Sequence, residues 1–165
     1  MSLRIILDRE IDDNLASGGG MARITVHLHG RAKDRSARAL IEDYQGRIKG
    51  RGIIVDEHLG QAKSPTDYET SIAALSGHLI LLDEGGEKMS SVEFATLVGE
   101  LSLASEPSHF AVGPANGFSA ETKGIAAQLV SLSTMTTTHE LAAVFLLEQL
   151  YRASEIKRGS PYHRE

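Results

Sequence analysis

The chain contains no cysteine, so neither a disulfide framework nor a thiolate metal site is possible, and a reducing compartment is the expected setting. It also lacks any apolar run near the eighteen or so residues that a membrane span needs, and no signal-peptide pattern opens it. A cytoplasmic location is therefore expected. Positive charge is in short supply too: 17 Lys and Arg stand against 22 Asp and Glu, a formal net charge of −5. This excludes a uniformly basic coat for nucleic acid and leaves only local patches. One runs from Arg31 to Arg51, where Arg31, Lys33, Arg35, Arg38, Arg47, Lys49 and Arg51 outnumber Asp34, Glu42 and Asp43. A second gathers Arg152, Lys157, Arg158 and Arg164 around Tyr162 and His163. No internal repeat is visible, and 165 residues at 41% hydrophobic suit one compact domain.

What is present alternates between two periods. Ile24, Val26 and Leu28 read as a first strand. A helix from about Asp34 follows, with Ala37, Leu40, Ile41, Tyr44 and Ile48 on one face, closing near Gly50. Ile53-Ile54-Val55 is a second strand. Ser64 caps a helix with Pro65 at its first position and Asp67 in its first turn. His78 to Asp83 is continuously apolar enough to lie inside a parallel sheet, and Glu84 to Lys88 reads as a turn. Ser90 and Glu93 form a capping box. Phe110 to Val112 is a fourth strand, Gly113 to Gly117 a tight loop, Ser119 a helix cap, and a fifth strand runs into Leu132. Thr137 and Glu140 read as a second capping box for a final helix. The expectation is a doubly wound α/β domain with a parallel sheet flanked by helices. Residues 1–20 are acidic and end in Ser17-Gly18-Gly19-Gly20, so they read as a flexible N-terminal extension to a single domain of residues 21–165.

Open sheets of this kind bind ligands beyond the carboxyl ends of their strands, and three loops leave that edge, after Asp83, Val112 and Leu132. Glycine and hydroxyl groups there suit a small polar ligand, a flavodoxin-like nucleotide or phosphate among the alternatives. Seven histidines invite a metal reading, but no His-x-x-x-His spacing occurs. His27, His58, His78 and His109 read as strand-end surface residues, and no metal is expected. Gly113 to Gly117 contains no serine, which removes a nucleophile elbow.

The stretch from Leu132 onward carries the most specific pattern. Leu132-Ser133-x-Met135-Thr136-x-x-His139 leads into a helix bearing Glu148, Tyr151, Arg152 and Ala153, and Pro161-Tyr162-His163-Arg164 follows. The ordered set resembles the RlmH family of ribosomal RNA large-subunit methyltransferases within the SPOUT superfamily. The resemblance implies a C-terminal trefoil knot and S-adenosylmethionine as cofactor, with Leu82, Gly113, Leu132, Ser133, Thr134, Met135, Thr136 and Thr137 around it. It implies a homodimer, and methylation at N3 of a pseudouridine in 23S rRNA, with His139, Glu148, Arg152, Tyr162, His163 and Arg164 serving the chemistry. Five positions depart from the family pattern: Pro114 replaces a glycine, Asn116 an acid and Ala143 an arginine, while Thr137 and Thr138 replace an apolar residue and a proline. They leave open a second reading, a knotted binding protein that keeps the fold and has lost or changed its RNA target.

Overall fold

In the computed structural model, which describes residues 24–60 and 64–164, five parallel strands form one sheet in the order β2-β1-β4-β3-β5. The strands are β1 (Ile24–His27), β2 (Ile53–Asp56), β3 (His78–Lys88), β4 (Ser108–Ala111) and β5 (Gln128–Ser131). Five helices connect them: α1 (Arg35–Ile48), α2 (Pro65–Ala73), α3 (Ser91–Leu103), α4 (Ala120–Ile125) and α5 (His139–Lys157). The reading of residues 1–20 as a flexible extension lies outside the described residues. Among the described residues, no helix is long and apolar enough to cross a membrane.

Local chemistry sets most boundaries. Asp34, Ser64, Ser90 and Ser119 each accept a backbone N–H of the first turn, and Glu93 closes the box with Ser90. The second predicted box does not form. Thr138 is the cap of α5, its hydroxyl accepting from Leu141 N at 3.2 Å. Glu140 instead receives the backbone N–H groups of Lys33 and Asp34 at 2.6 and 3.0 Å, bonds that hold its carboxyl below the usual range. A tertiary partner with two donors outcompetes the local one. The α1 helix runs through a 3-10 turn and stops at Gly52, whose φ of 76° is left-handed, rather than at Gly50. Leu40 is 43% exposed, turned away from the buried Ala37, Ile41 and Ile48.

The segment read as a turn after Asp83 stays in the sheet. β3 runs to Lys88, and its register on β5 jumps from Leu82 to Glu87 opposite the single residue Val130. Asp83 to Gly86 form the bulge, where a Cβ at Gly86 would lie 2.7 Å from the backbone of β5. Only glycine lets the two chains approach so closely.

Two cores flank the sheet. Ile24, Val26, Ile53, Ile80, Phe110 and Val130 meet α1, α3 and α5 through Ile41, Phe94, Leu101, Leu146, Leu147 and Leu150. The opposite face holds Leu79, Leu81 and Ala111 against Tyr68, Ile72 and Phe118, a much smaller cluster under α2 and α4. On that face, toward β1 and β2, polar side chains replace apolar ones. His27 and His109 there are 3% and 8% exposed, and His78, which alternates in step with Ile80 on the other face, is 7% exposed, so the expectation of surface histidines is overturned for these three. His27 and His109 stay inside because their ring nitrogens find partners: His27 Nε2 lies 3.0 Å from His109 Nδ1, and His109 Nε2 lies 3.0 Å from the Ser76 carbonyl oxygen.

Candidate functional site

The loops after β3, β4 and β5 converge on an open cleft of about 150 Å³ at the carboxyl edge of the sheet. The first residues of α5 close it. Leu82, Gly113, Leu132, Ser133, Met135 and Thr137 line this cleft, and His139, Ala142 and Phe145 form its helical wall. Thr134 and Thr136 belong to the same exposed loop without lining the cleft, and the Thr136 hydroxyl donates to Glu84 at 3.2 Å. Ser133 Oγ accepts Met135 N at 3.0 Å, and Ser131 Oγ donates to the Ser133 carbonyl at 2.9 Å, so hydroxyls fold this loop on itself.

Gly113 sits where a Cβ would lie 3.3 Å from the Phe118 ring, tighter than ordinary contact. Pro114, which has no N–H, contributes its carbonyl: Gly117 N donates to it at 2.8 Å, closing the turn with Gly117 at φ 77°. The turn therefore survives the proline. On the rim, Asp83 is paired with Lys123 at 2.8 Å, while Glu84 is exposed. The cleft thus combines an apolar floor, hydroxyls, an acidic rim and the N-terminus of a 19-residue helix.

The residues expected to serve the chemistry form two groups. His139 is at the cleft. Glu148, Arg152, Tyr162 and His163 gather near the other end of α5, because the tail turns back on Gly159 (φ 69°) and lays Tyr162 against the helix. Glu148 Oε1 accepts from Arg152 Nη2 at 2.6 Å and from the Tyr162 hydroxyl at 3.0 Å. Arg152 stacks 5.0 Å over the Tyr162 ring, and its Nη1 donates to His163 Nδ1 at 3.4 Å. Burial, followed by bonds to Tyr44 and Glu148, pushes the Tyr162 hydroxyl well up, which keeps it a proton donor. The bond to Glu148 pushes the Arg152 guanidinium up as well. Arg164 is exposed beyond them. At 1.5 Å per residue, Arg152 lies 13 positions and roughly 20 Å along α5 from His139 at the start of the cleft wall, and 7 positions or roughly 10 Å from Phe145 at its end.

Neighbouring residues outside the expected site set complete the tail cluster. Tyr44 lies 6.1 Å from Tyr151, and Arg47 and Arg51 stack over the same Tyr151 ring at 5.3 and 5.0 Å. Much of the Arg31–Arg51 patch is thereby engaged. Arg51 is ion-paired to Glu155, Arg47 to Asp43 at 2.8 Å and Arg31 to Glu57 at 3.5 Å, while Arg38 donates twice to the Ala32 carbonyl. Lys33, Arg35 and Lys49 are left exposed. Ala143, at the position of the missing arginine, is buried at 3% exposure.

A family model described as "Predicted SPOUT methyltransferase" matches residues 22–163. Proteins named ribosomal RNA large subunit methyltransferase H are similar to this chain in several bacteria. The one from Geobacter sp. (strain M21) is 36% identical over 146 residues, 82% of this chain and 95% of that protein. The Geotalea daltonii protein is 37% identical over 152 residues, 86% of this chain and 99% of its own length. The Prochlorococcus marinus (strain MIT 9313) protein is 42% identical over 123 residues, covering 73% and 82% respectively. With the match running from the first strand through the terminal helix and tail, the chain belongs to the SPOUT methyltransferase family.

Proposed function

We propose that the protein is a homodimeric, cytoplasmic, S-adenosylmethionine-dependent methyltransferase acting on N3 of a pseudouridine in 23S rRNA of the large ribosomal subunit. The observation that carries the reading is the convergence of three strand-end loops and the α5 N-terminus on one cleft, in a chain whose relatives are named for large-subunit rRNA methylation. The cleft fits the cofactor by its donor set. Leu82, Leu132 and Phe145 suit an adenine face, Ser133 and Thr137 suit ribose and amide edges, and Gly113 leaves room for the main chain to approach. The helix N-terminus would favour the amino-acid carboxylate, and the acidic rim at Glu84 the sulfonium and ammonium charges. When bound, the cofactor supplies a methyl group on a positively charged sulfur.

The residues of the chain then have to hold the acceptor in line and help its N3 proton leave, and positioning alone can contribute many orders of magnitude. Arg152, held in place by Glu148, offers a fixed guanidinium to a phosphate or base oxygen. Tyr162 offers a stacking face for an unpaired base. With Arg152 donating to His163 Nδ1, the tautomer assigned from this contact carries its proton on Nε2, so His163 acts as a donor to a base carbonyl. The tail cluster begins about one turn beyond Phe145, the last cleft residue of α5, and reaches Arg152 roughly 10 Å from that residue along the helix; the composite site of this reading is completed by the tail of a second copy. Leu141, Phe145 and Met135, 54%, 39% and 76% exposed beside the cleft, give that copy an apolar surface to cover. The trefoil threading of the family belongs to the same reading.

The test is calorimetry with S-adenosylmethionine, light scattering for mass, and mass spectrometry of 23S rRNA from cells lacking the protein. Millimolar cofactor without heat removes the enzyme reading. Cofactor binding with an unaltered rRNA methylation pattern favours the knotted binding protein, the reading that Pro114, Asn116 and Ala143 motivate.

A further inference from the structure

On the sheet face away from α1, α3 and α5, a chain of histidines leads from the interior to the surface and ends in a preformed ligand set. It begins at the Ser76 carbonyl, which can only accept a hydrogen bond, so His109 Nε2 carries a proton. The Nδ1 of neutral His109 is then an acceptor, and it takes the Nε2–H of His27 at 3.0 Å. This assignment leaves His27 Nδ1 as a lone pair. That lone pair faces His58 Nε2 at 2.7 Å, and His58 Nε2 in turn lies 3.5 Å from Asp56 Oδ2. The three ligand atoms lie within 4.8 Å of one another.

We propose that His27, His58 and Asp56 form a binding site for a single borderline divalent cation of the Zn²⁺ class, with solvent completing the coordination. Two imidazoles and one carboxylate are the donor set for such ions, and oxygen-loving Mg²⁺ and Ca²⁺ are disfavoured by it. Tetrahedral coordination at about 2.05 Å places ligand atoms about 3.3 Å apart. The His27–His58 edge of 2.7 Å and the His58–Asp56 edge of 3.5 Å bracket that value, and the third edge lies within 4.8 Å, so side-chain adjustments on the order of 1 Å replace a shared proton by a cation. His27 is the buried anchor at 3% exposure, while the His58 and Asp56 side chains are 11% and 54% exposed, which gives an ion a way in.

The supporting shell is already organised. A ligating histidine commonly donates its other ring N–H to a partner that fixes its tautomer, as His27 does to His109. Asp56 is oriented by accepting His58 N on Oδ1 at 2.9 Å, which leaves Oδ2 for the ion. The turn that returns His58 toward His27 holds it at φ 46°, a left-handed conformation uncommon outside glycine. The buried Tyr68 hydroxyl bonds the carbonyls of His27 and Val112 at 3.0 and 2.8 Å. Since Val112 begins the Gly113 loop, the cation site adjoins the floor of the cleft without sharing a residue with its lining.

Full-length protein stripped with a chelator should be titrated with ZnCl₂ by calorimetry and with CoCl₂ by visible absorption. One ion per chain, a dissociation constant on the order of micromolar or below, tetrahedral Co²⁺ bands and a melting temperature raised by about 5 °C at saturating Zn²⁺ are expected. His58→Ala and Asp56→Asn, altered at the accessible side of the site, should weaken binding at least tenfold. His109→Gln should weaken it roughly 10- to 100-fold through the orientation of His27. His163→Ala should leave it unchanged. No heat and no Co²⁺ bands with the wild-type chain would mean that the histidines share protons only, and the proposal falls. It falls equally if His58→Ala and Asp56→Asn, shown to be folded by circular dichroism, bind as tightly as wild type. None of these readouts depends on methyl transfer.

Discussion

The two faces of the sheet are covered by the same chain under different rules. Toward α1, α3 and α5 the contact is predominantly apolar, with Val26, Ile80, Phe110, Leu146, Leu147 and Leu150 fully buried. Toward α2 and α4 the helices are 9 and 6 residues long, the apolar cluster is small, and His27, His109 and Tyr68 fill space with hydrogen-bonded rings. An apolar face is stable over any ordinary pH, whereas a face built on neutral imidazoles depends on their staying neutral. One face resists conditions and the other responds to them.

The largest effect should come from the apolar face. Leu147→Ala is expected to cost roughly 3–5 kcal/mol in urea denaturation, against about 2–3 for Leu79→Ala on the other face. Equal costs would erase the distinction. The second is acid sensitivity of the metal-free protein. Burial, with His58 and His109 adding to it, lowers His27 from 6.5 to about 4. The unfolded chain therefore takes up its proton first as pH falls. Stability is complete above about 6.5 and declines toward pH 4, by up to about 3 kcal/mol. A urea midpoint flat across that window contradicts the contrast.

Glu148→Ala, which removes the acceptor shared by Arg152 and Tyr162, should lower methyl transfer about 100-fold while shifting the melting temperature little. A matching loss of stability would make the cluster structural. Glu69 ties the two short helices of the responsive face together, accepting Ser119 N at 3.0 Å and the hydroxyls of Ser119 and Thr122. Glu69→Ala should cost about 1 kcal/mol. Smallest of all, a chain beginning at Met21 should melt within about 3 °C of the full one, since the family match starts at residue 22.

Elements governed by near neighbours were legible in advance. The five strands, the caps at Ser64, Ser90 and Ser119, and the order of the C-terminal signature all rest on residues within a turn or on a repeated period. The cleft was legible for a related reason, since parallel strands send their loops to one edge whatever the loops contain. The failures are as regular. Glu140 was assigned to a local box but bonds backbone 107 and 106 positions away. The turn after Asp83 became a bulge because β5 arrives alongside it.

The amino-acid sequence by itself determined the alternation of elements, most of the face that α1 buries and the family signature, since period, capping and glycine placement act over a few residues. Only the tertiary structure decided that His27 meets His58 and His109, 31 and 82 positions away, and that the tail folds back onto Glu148 and Arg152 rather than onto the start of α5. Burial depends on what the rest of the chain places overhead. A histidine at the end of a strand reads as a surface residue until a carbonyl, a second ring and a third line up to satisfy both of its nitrogens.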